Sequence, residues 1–145
     1  MNITIIAAGQ AKSGPLFQIW SDYSKRLRWK LTLHEIDARK SKNTEEKILE
    51  KYKEGVPLIV MDERGKELSS VDFSKQLQKI QLQGQNEVQF IIGAAEGLSD
   101  DIRKKADYVI SFGKQTWPHM LVRVMLLEQI YRAQQILAGH PYHKE

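Results

Sequence analysis

Residues 88–99 read VQFIIGAAEGLS. The first five make a mostly apolar run of strand length. Gly93 ends it, two alanines and Gly97 follow, and Ser99 stands where it can cap a helix. A strand that passes through a small-residue turn straight into a helix is half of a βα unit. The turn sits at the carboxyl end of its strand, where open α/β sheets bind their ligands. Gly93 and Gly97 would let a ligand approach the backbone, although tight βα turns without a ligand look similar.

The alternation extends in both directions. Upstream, residues 3–8 are an apolar run closed by Gly9, and residues 14–29 carry helical spacing through Leu16, Ile19, Trp20, Tyr23 and Leu27. Residues 31–36 alternate as a strand, and Asn43 or Thr44 caps a helix that runs through Lys53. Residues 57–61 form a strand ending at Asp62. Ser69 or Ser70 then starts a helix to about Gln83, with Val71, Phe73, Leu77 and Ile80 inward. Downstream come a short helix from Ser99, a strand over 108–112 and a helix over 118–138, stopped by Gly139 with Pro141 beyond. Strands alternating with helices predict an α/β fold: a mostly parallel sheet covered by helices on both faces. No repeat, linker or low-complexity segment divides residues 1–145, so one domain is expected.

The final helix carries two apolar stripes. Val122, Leu126, Ile130, Ala133 and Leu137 make one, and Met120, Val124, Leu127 and Tyr131 the other. Together they are wider than the roughly 100° arc that covers one sheet. Either a second copy of the chain or another helix of the same subunit would cover the surplus.

Composition narrows the function classes. The chain is 41% hydrophobic and 28% charged, with no cysteine, which excludes disulfides, zinc–thiolate sites and cysteine nucleophiles. No apolar run approaches a membrane span and the start lacks a signal-peptide pattern, so a cytoplasmic protein with no membrane partner is expected. The four histidines lack metal-ligand spacing, and no metal is expected. Residues 1–53 hold eleven Lys or Arg against six Asp or Glu, whereas the remainder holds eleven against twelve. The excess lies in KRLRWK (25–30) and RKSK (39–42). It fits an acidic partner such as nucleic acid and equally a solvated lysine face.

GQAKSG (9–14) fails as a P-loop because Pro15 and Leu16 follow its last glycine, and no dinucleotide fingerprint follows the first strand. SFGKQTWPHMLVR (111–123) is a second small-residue loop after a strand. With residues 91–99, Met61 and Asp62 it would form a pocket whose backbone groups could read an adenine and a ribose. His119 and Arg123 share a helix face. Arg123 could hold a phosphate or carboxylate, although such pairs are more often surface pairs or caps.

The stretches IIGAAEGLS and FGKQTWPHMLVRVMLLEQIYRAQQILAGHPYHKE, with ITIIAAGQ at the start and VPLIVMDERGKELSS in the middle, closely resemble the ribosomal RNA large subunit methyltransferase H family, knotted SPOUT methyltransferases. The resemblance covers essentially the whole chain. It is most specific at PH-x-x-x-R, EQ-x-YRA and the terminal PYHK. It implies a C-terminal trefoil knot, one of the rare exceptions to un-knotted topology. It also implies a homodimer, S-adenosyl-L-methionine as cofactor, and methylation of N3 of a pseudouridine in a hairpin of large-subunit (23S) rRNA on assembled ribosomes. Matched by position, Met61, Gly93, Phe112, Gly113, Lys114, Gln115, Thr116 and Trp117 fall on the family's cofactor-binding places. Where the family usually has two consecutive glycines, this chain has Gly93 and Ala94. A second position that needed positive φ would leave Ala94 strained.

N3 of a pseudouridine is a protonated imide nitrogen and must lose its proton before or during attack, and histidine suits that chemistry near neutral pH. His143 is expected to act as the base or to orient the imide. Tyr142 would stack on or hydrogen-bond the target base, and Lys144 would hold a phosphate, with Arg123 and His119 in support. The basic residues of 25–42, Arg26, Arg28, Arg39 and Lys40 among them, are the expected phosphate contacts. Two other readings remain open at this level: a tRNA methyltransferase of the same fold and a non-catalytic ribosome-binding factor. A receiver-like signalling domain would need an acidic cluster that Asp62 and Glu63 alone do not make.

Overall fold

The computed structural model describes residues 1–37, 43–94 and 97–144. Arg39 and Lys40, within RKSK, lie outside the described residues, as do Ala95 and Glu96 of the 91–99 turn. Among the described residues five strands alternate with five helices. They are β1 (Asn2–Ala8), α1 (Pro15–Arg26), β2 (Lys30–Ile36), α2 (Thr44–Lys51), β3 (Leu58–Glu67), α3 (Ser70–Leu82), β4 (Glu87–Ile92), α4 (Asp100–Lys105), β5 (Tyr108–Ser111) and α5 (His119–Leu137). The strands pair in parallel, in the order β2-β1-β4-β3-β5.

The pleat sorts the side chains into two cores. Ile5, Ile59 and Phe90 face one side, under Phe73, Leu77 and Ile80 of α3 and Leu126, Leu127 and Ile130 of α5. Ile6, Val60 and Ile91 face the other, under Ile48 of α2 and Ile102 of α4. A sheet covered on both sides has no solvent face, which is why its central strands read as apolar runs. Each of these side chains stabilises the fold by roughly 2 kcal/mol through burial. One polar exception, Gln89, is fully buried but satisfied. Its carboxamide accepts from the Lys53 amide at 3.1 Å and donates to the Lys53 and Val56 carbonyls at 2.8 and 3.1 Å.

Several expectations are corrected at element ends. The first helix stops at Arg26, not near residue 29. Leu27 turns extended at ψ 127 and is buried, and the Arg28 and Trp29 amides bond to the Gln134 side chain instead of continuing the helix. The second helix ends at Lys51, two residues early, because Lys53 is engaged by Gln89. Val71 and Ile19 are exposed rather than inward, at 38% and 42%. The third strand continues past Asp62 to Glu67. The surplus apolar surface of α5 is covered within the subunit, by α1 and α3, so Val124 and Leu127 are buried alongside Leu126 and Ile130. Helix α1 is the under-covered element: it carries Leu16, Phe17, Ile19, Trp20 and Tyr23, yet none of its residues is buried.

Candidate functional site

The strand order places the tips of β4, β3 and β5 side by side, and a cleft opens where they meet the start of α5. Met61, Ile92, Ile110, Phe112 and Val122 give it apolar walls, and Gly93, Ala94, Gly97 and Gly113 give it bare backbone edges. Asp62, Glu63, Arg64, Gln115, Thr116, Trp117 and His119 complete it. Apolar walls with a few polar groups at the edge are the usual make-up of a small-molecule site.

Each edge has a local cause. A Cβ on Gly93 would lie 2.7 Å from Leu98 Cγ, so glycine is what lets the turn fold back on buried Leu98. The turn is closed by the Gly97 amide donating to the Ala94 carbonyl at 2.9 Å, and Gly97, not Ala94, takes the positive φ of 81°. Ala94 is therefore unstrained, and the departure from two consecutive glycines costs no backbone energy. On the β5 side, Gly113 turns at φ 108°. The Ser111 hydroxyl accepts from its amide at 3.0 Å and donates to its carbonyl at 2.7 Å. The Trp117 indole N–H then donates to the Phe112 carbonyl at 3.2 Å, setting the ring along the loop.

The third edge comes from the unexpected length of β3. Ile110 pairs with Met61 and again with Lys66, so residues 62–65 bulge out of the ladder over the cleft. Gly65 permits the crossing: a Cβ there would lie 2.6–2.7 Å from the backbone of Val109 and Ile110. Arg103 holds the bulge from below, bonding the Asp62 carboxylate at 3.3 Å as well as the Leu98 carbonyl and Asp100. Glu63 accepts from the Thr116 hydroxyl at 3.0 Å, which joins the bulge to the β5 loop.

Of the expected cofactor residues, the cleft brings together Met61, Gly93, Phe112, Gly113, Gln115, Thr116 and Trp117; Lys114 is exposed and does not line it. Arg123, expected to help position RNA, is 2% exposed. It bonds Glu35 at 2.7 Å and the Ala8 and Gly9 carbonyls at 3.3 and 3.2 Å. Glu35 also accepts from the Ala11 amide at 2.8 Å, so Arg123 fastens the loop after β1 and faces no solvent. His119 lies under that loop, with Nε2 2.9 Å from where a Gly9 Cβ would be, and lines the cleft.

Tyr142 and His143 pack against α5. The Tyr142 hydroxyl donates to Glu128 at 3.2 Å, and its ring meets Tyr131 edge-on at 4.9 Å with the Arg132 guanidinium over its face at 4.8 Å. Burial first, then the Tyr23 hydroxyl and the Glu128 carboxylate, hold the phenol protonated well above its ordinary range. His143 Nδ1 lies 2.9 Å from Arg132 Nη1, and Lys144 is exposed. Among the described residues none beyond Val122 lines the cleft, and Arg132 is about 15 Å further along the helix. Within one chain the tail and the cleft are thus separate.

Sequence reading missed Glu63 and Arg64, because the strand was expected to end at Asp62. It also missed Glu128 and Arg132, whose (i, i+4) spacing was the available signal. Among the described residues no helix is long and apolar enough to cross a membrane, and no three His, Asp or Glu group as a metal site would need.

Comparison with known proteins meets this geometry. The family described as "Predicted SPOUT methyltransferase" matches residues 1–143. A ribosomal RNA large subunit methyltransferase H of Rhodospirillum centenum is 45% identical over 151 residues, covering 99% of both chains. One of Clostridium perfringens is 42% identical over 159 residues, covering 99% of this chain and all of the relative. This chain belongs to the ribosomal RNA large subunit methyltransferase H family of SPOUT methyltransferases. Solved structures agree at the level of architecture. A probable methylase family protein from Haemophilus influenzae superposes with a TM-score of 0.63 at 10% identity, over 99% of this chain and 71% of that one. The SpoU methyltransferase AviRb from Streptomyces viridochromogenes, in complex with AdoMet, gives 0.52 at 13% identity, over 96% and 59%.

Proposed function

We propose that this SPOUT methyltransferase uses S-adenosyl-L-methionine to methylate N3 of a pseudouridine in large-subunit rRNA on assembled ribosomes. The observation that carries the reading is the cleft at three adjoining strand ends, lined by seven of the eight residues that family likeness assigns to the cofactor. Its chemistry fits the group. Met61, Ile92 and Phe112 offer an apolar slot for an adenine, and the Gly93–Gly97 and Gly113 turns expose backbone edges. Glu63 and Gln115 supply polar groups for hydroxyls or a carboxylate's counterpart amine. When bound, S-adenosyl-L-methionine supplies a methyl group already activated on a sulfonium, so the protein's contribution is positioning.

The working unit in this reading is a homodimer with the trefoil knot of its family. Two features favour a second copy. Helix α1 leaves Phe17 and Ile19 37% and 42% exposed, and the residues that can address a base, Tyr142, His143 and Lys144, stand away from their own cleft. In a dimer the tail of one copy closes over the cleft of the other. Lys25, Arg26, Arg28 and Lys30 supply phosphate contacts beside the α1 end, and exposed Lys114 at the cleft mouth serves RNA rather than cofactor. Purified protein incubated with labelled S-adenosyl-L-methionine should methylate ribosomes lacking the modification and leave isolated tRNA unlabelled. Labelling of tRNA alone overturns the substrate assignment, and no heat-stability gain with the donor overturns the cofactor assignment. Deleting residues 142–145 should preserve that stability gain and abolish transfer.

A further inference from the structure

Resting on the proposed role of the tail, we infer that Arg132 fixes the tautomer of His143. The imidazole then enters the reaction as an Nε2–H hydrogen-bond donor and not as the base that removes the imide proton.

The argument begins from what each group can do. A guanidinium has five N–H donors and no acceptor. Its Nη1 stands 2.9 Å from His143 Nδ1, so that ring nitrogen must present its lone pair. A neutral imidazole carries one proton, which is then on Nε2. A nitrogen that already holds a proton cannot take another from the substrate.

Arg132 is itself held in place. Its Nε and Nη2 donate to Glu128 Oε1 at 2.9 and 2.8 Å, and the same carboxylate oxygen accepts from the Tyr142 hydroxyl at 3.2 Å. Glu128 is braced in turn by the Gln129 side chain, whose Nε2 donates to Oε2 at 2.9 Å. One carboxylate thus sets the orientation of the guanidinium, and the guanidinium sets both the Tyr142 ring, by lying over its face, and the His143 proton. Arg132 and Glu128 are positioning residues; His143 is the group that meets the base.

An N–H aimed at a carbonyl next to the imide nitrogen stabilises negative charge as it develops there, as fixed donors do in an oxyanion hole. The imide proton goes to solvent hydroxide, and its electron pair stays on N3.

The test reads the tautomer directly and then the chemistry. In protein labelled with 15N-histidine, with the His143→Gln spectrum providing the assignment, His143 should have a bare Nδ1 and a protonated Nε2 at pH 8. In Arg132→Ala the two nitrogens should move toward averaged values while circular dichroism shows the fold retained. A protonated Nδ1 in the unaltered protein overturns the inference. In turnover on ribosomes, His143→Gln keeps an N–H donor but no base. It should retain activity within about tenfold, whereas His143→Ala should lose about 100-fold. Equal, severe losses in both variants restore the base and overturn the donor. Full activity in both removes the tail from the mechanism, which defeats the proposed function of the tail and this inference with it.

Discussion

At the scale of single residues, the cleft depends on positions where a Cβ has nowhere to go. Gly65 lies against the Val109–Ile110 backbone and Gly84 faces open space at φ 86°, so the two glycines separate crowding from backbone conformation. Gly65→Ala should destabilise by about 3 kcal/mol because backbone cannot move aside as a side chain can. Gly84→Ala should cost only about 1 kcal/mol for its left-handed turn. Urea midpoints of the two variants decide this; equal shifts would mean that the β3–β5 crossing is looser than the distances indicate. Tyr142 makes a pH prediction. Its phenol is held protonated above its ordinary range, so above about pH 10 the unfolded chain has lost a proton that the folded chain retains. Stability is therefore fully present below that pH and falls as pH rises beyond it. Tyr142→Phe should show a shallower alkaline fall in denaturation free energy between pH 9 and 11, and an unchanged slope contradicts the assignment. The sequence marked the turn glycines well, since small residues at strand ends are visible in one dimension. It could not say which glycine of a turn carries the positive φ, and that proved to be Gly97, leaving Ala94 at ease.

At the scale of elements, α5 was legible as a long apolar helix but not as to its two buried polar side chains. Arg123 and Gln134 interrupt the apolar stripes, and a surface role is the ordinary reading of such residues. The fold gives each a backbone debt to settle: Arg123 serves the carbonyls after β1, and Gln134 accepts from the Arg28 and Trp29 amides at 2.7 and 3.0 Å. Gln134→Ala leaves two part-buried backbone donors without that acceptor and should cost about 1 kcal/mol. Arg123→Leu leaves Glu35 without its guanidinium and should cost about 3 kcal/mol. Chemical denaturation measures both; losses near zero would mean that water replaces the partners. The end of β3 was misjudged for a related reason. DERGKE (62–67) reads as a polar loop, and only its pairing with β5 across the Met61–Lys66 shift makes it a strand with a bulge.

At the scale of the whole molecule, the proposed composite site allows complementation between two inactive variants. One carries Ala94→Trp, which adds bulk at the cleft wall, and the other lacks residues 142–145. Mixed and allowed to exchange subunits, random pairing would make half the dimers mixed, each with one intact cleft under one intact tail, and restore about a quarter of the activity. No restoration, with exchange verified by mass, would mean that each chain completes its own site. What the sequence by itself determined was the alternation of βα units, the two-sided covering of the sheet and the three loops from which the cleft is made. These are local matters of periodicity, capping and turn chemistry. Tertiary structure alone decided that residues 62–65 of β3 bulge over the cleft, that Arg123 is buried against Glu35, and that the tail lies on Glu128 and Arg132 far from its own cleft. Each of those depends on partners tens of residues apart or on the path of a whole helix, and a polar side chain carries no mark in sequence of which partner it will meet.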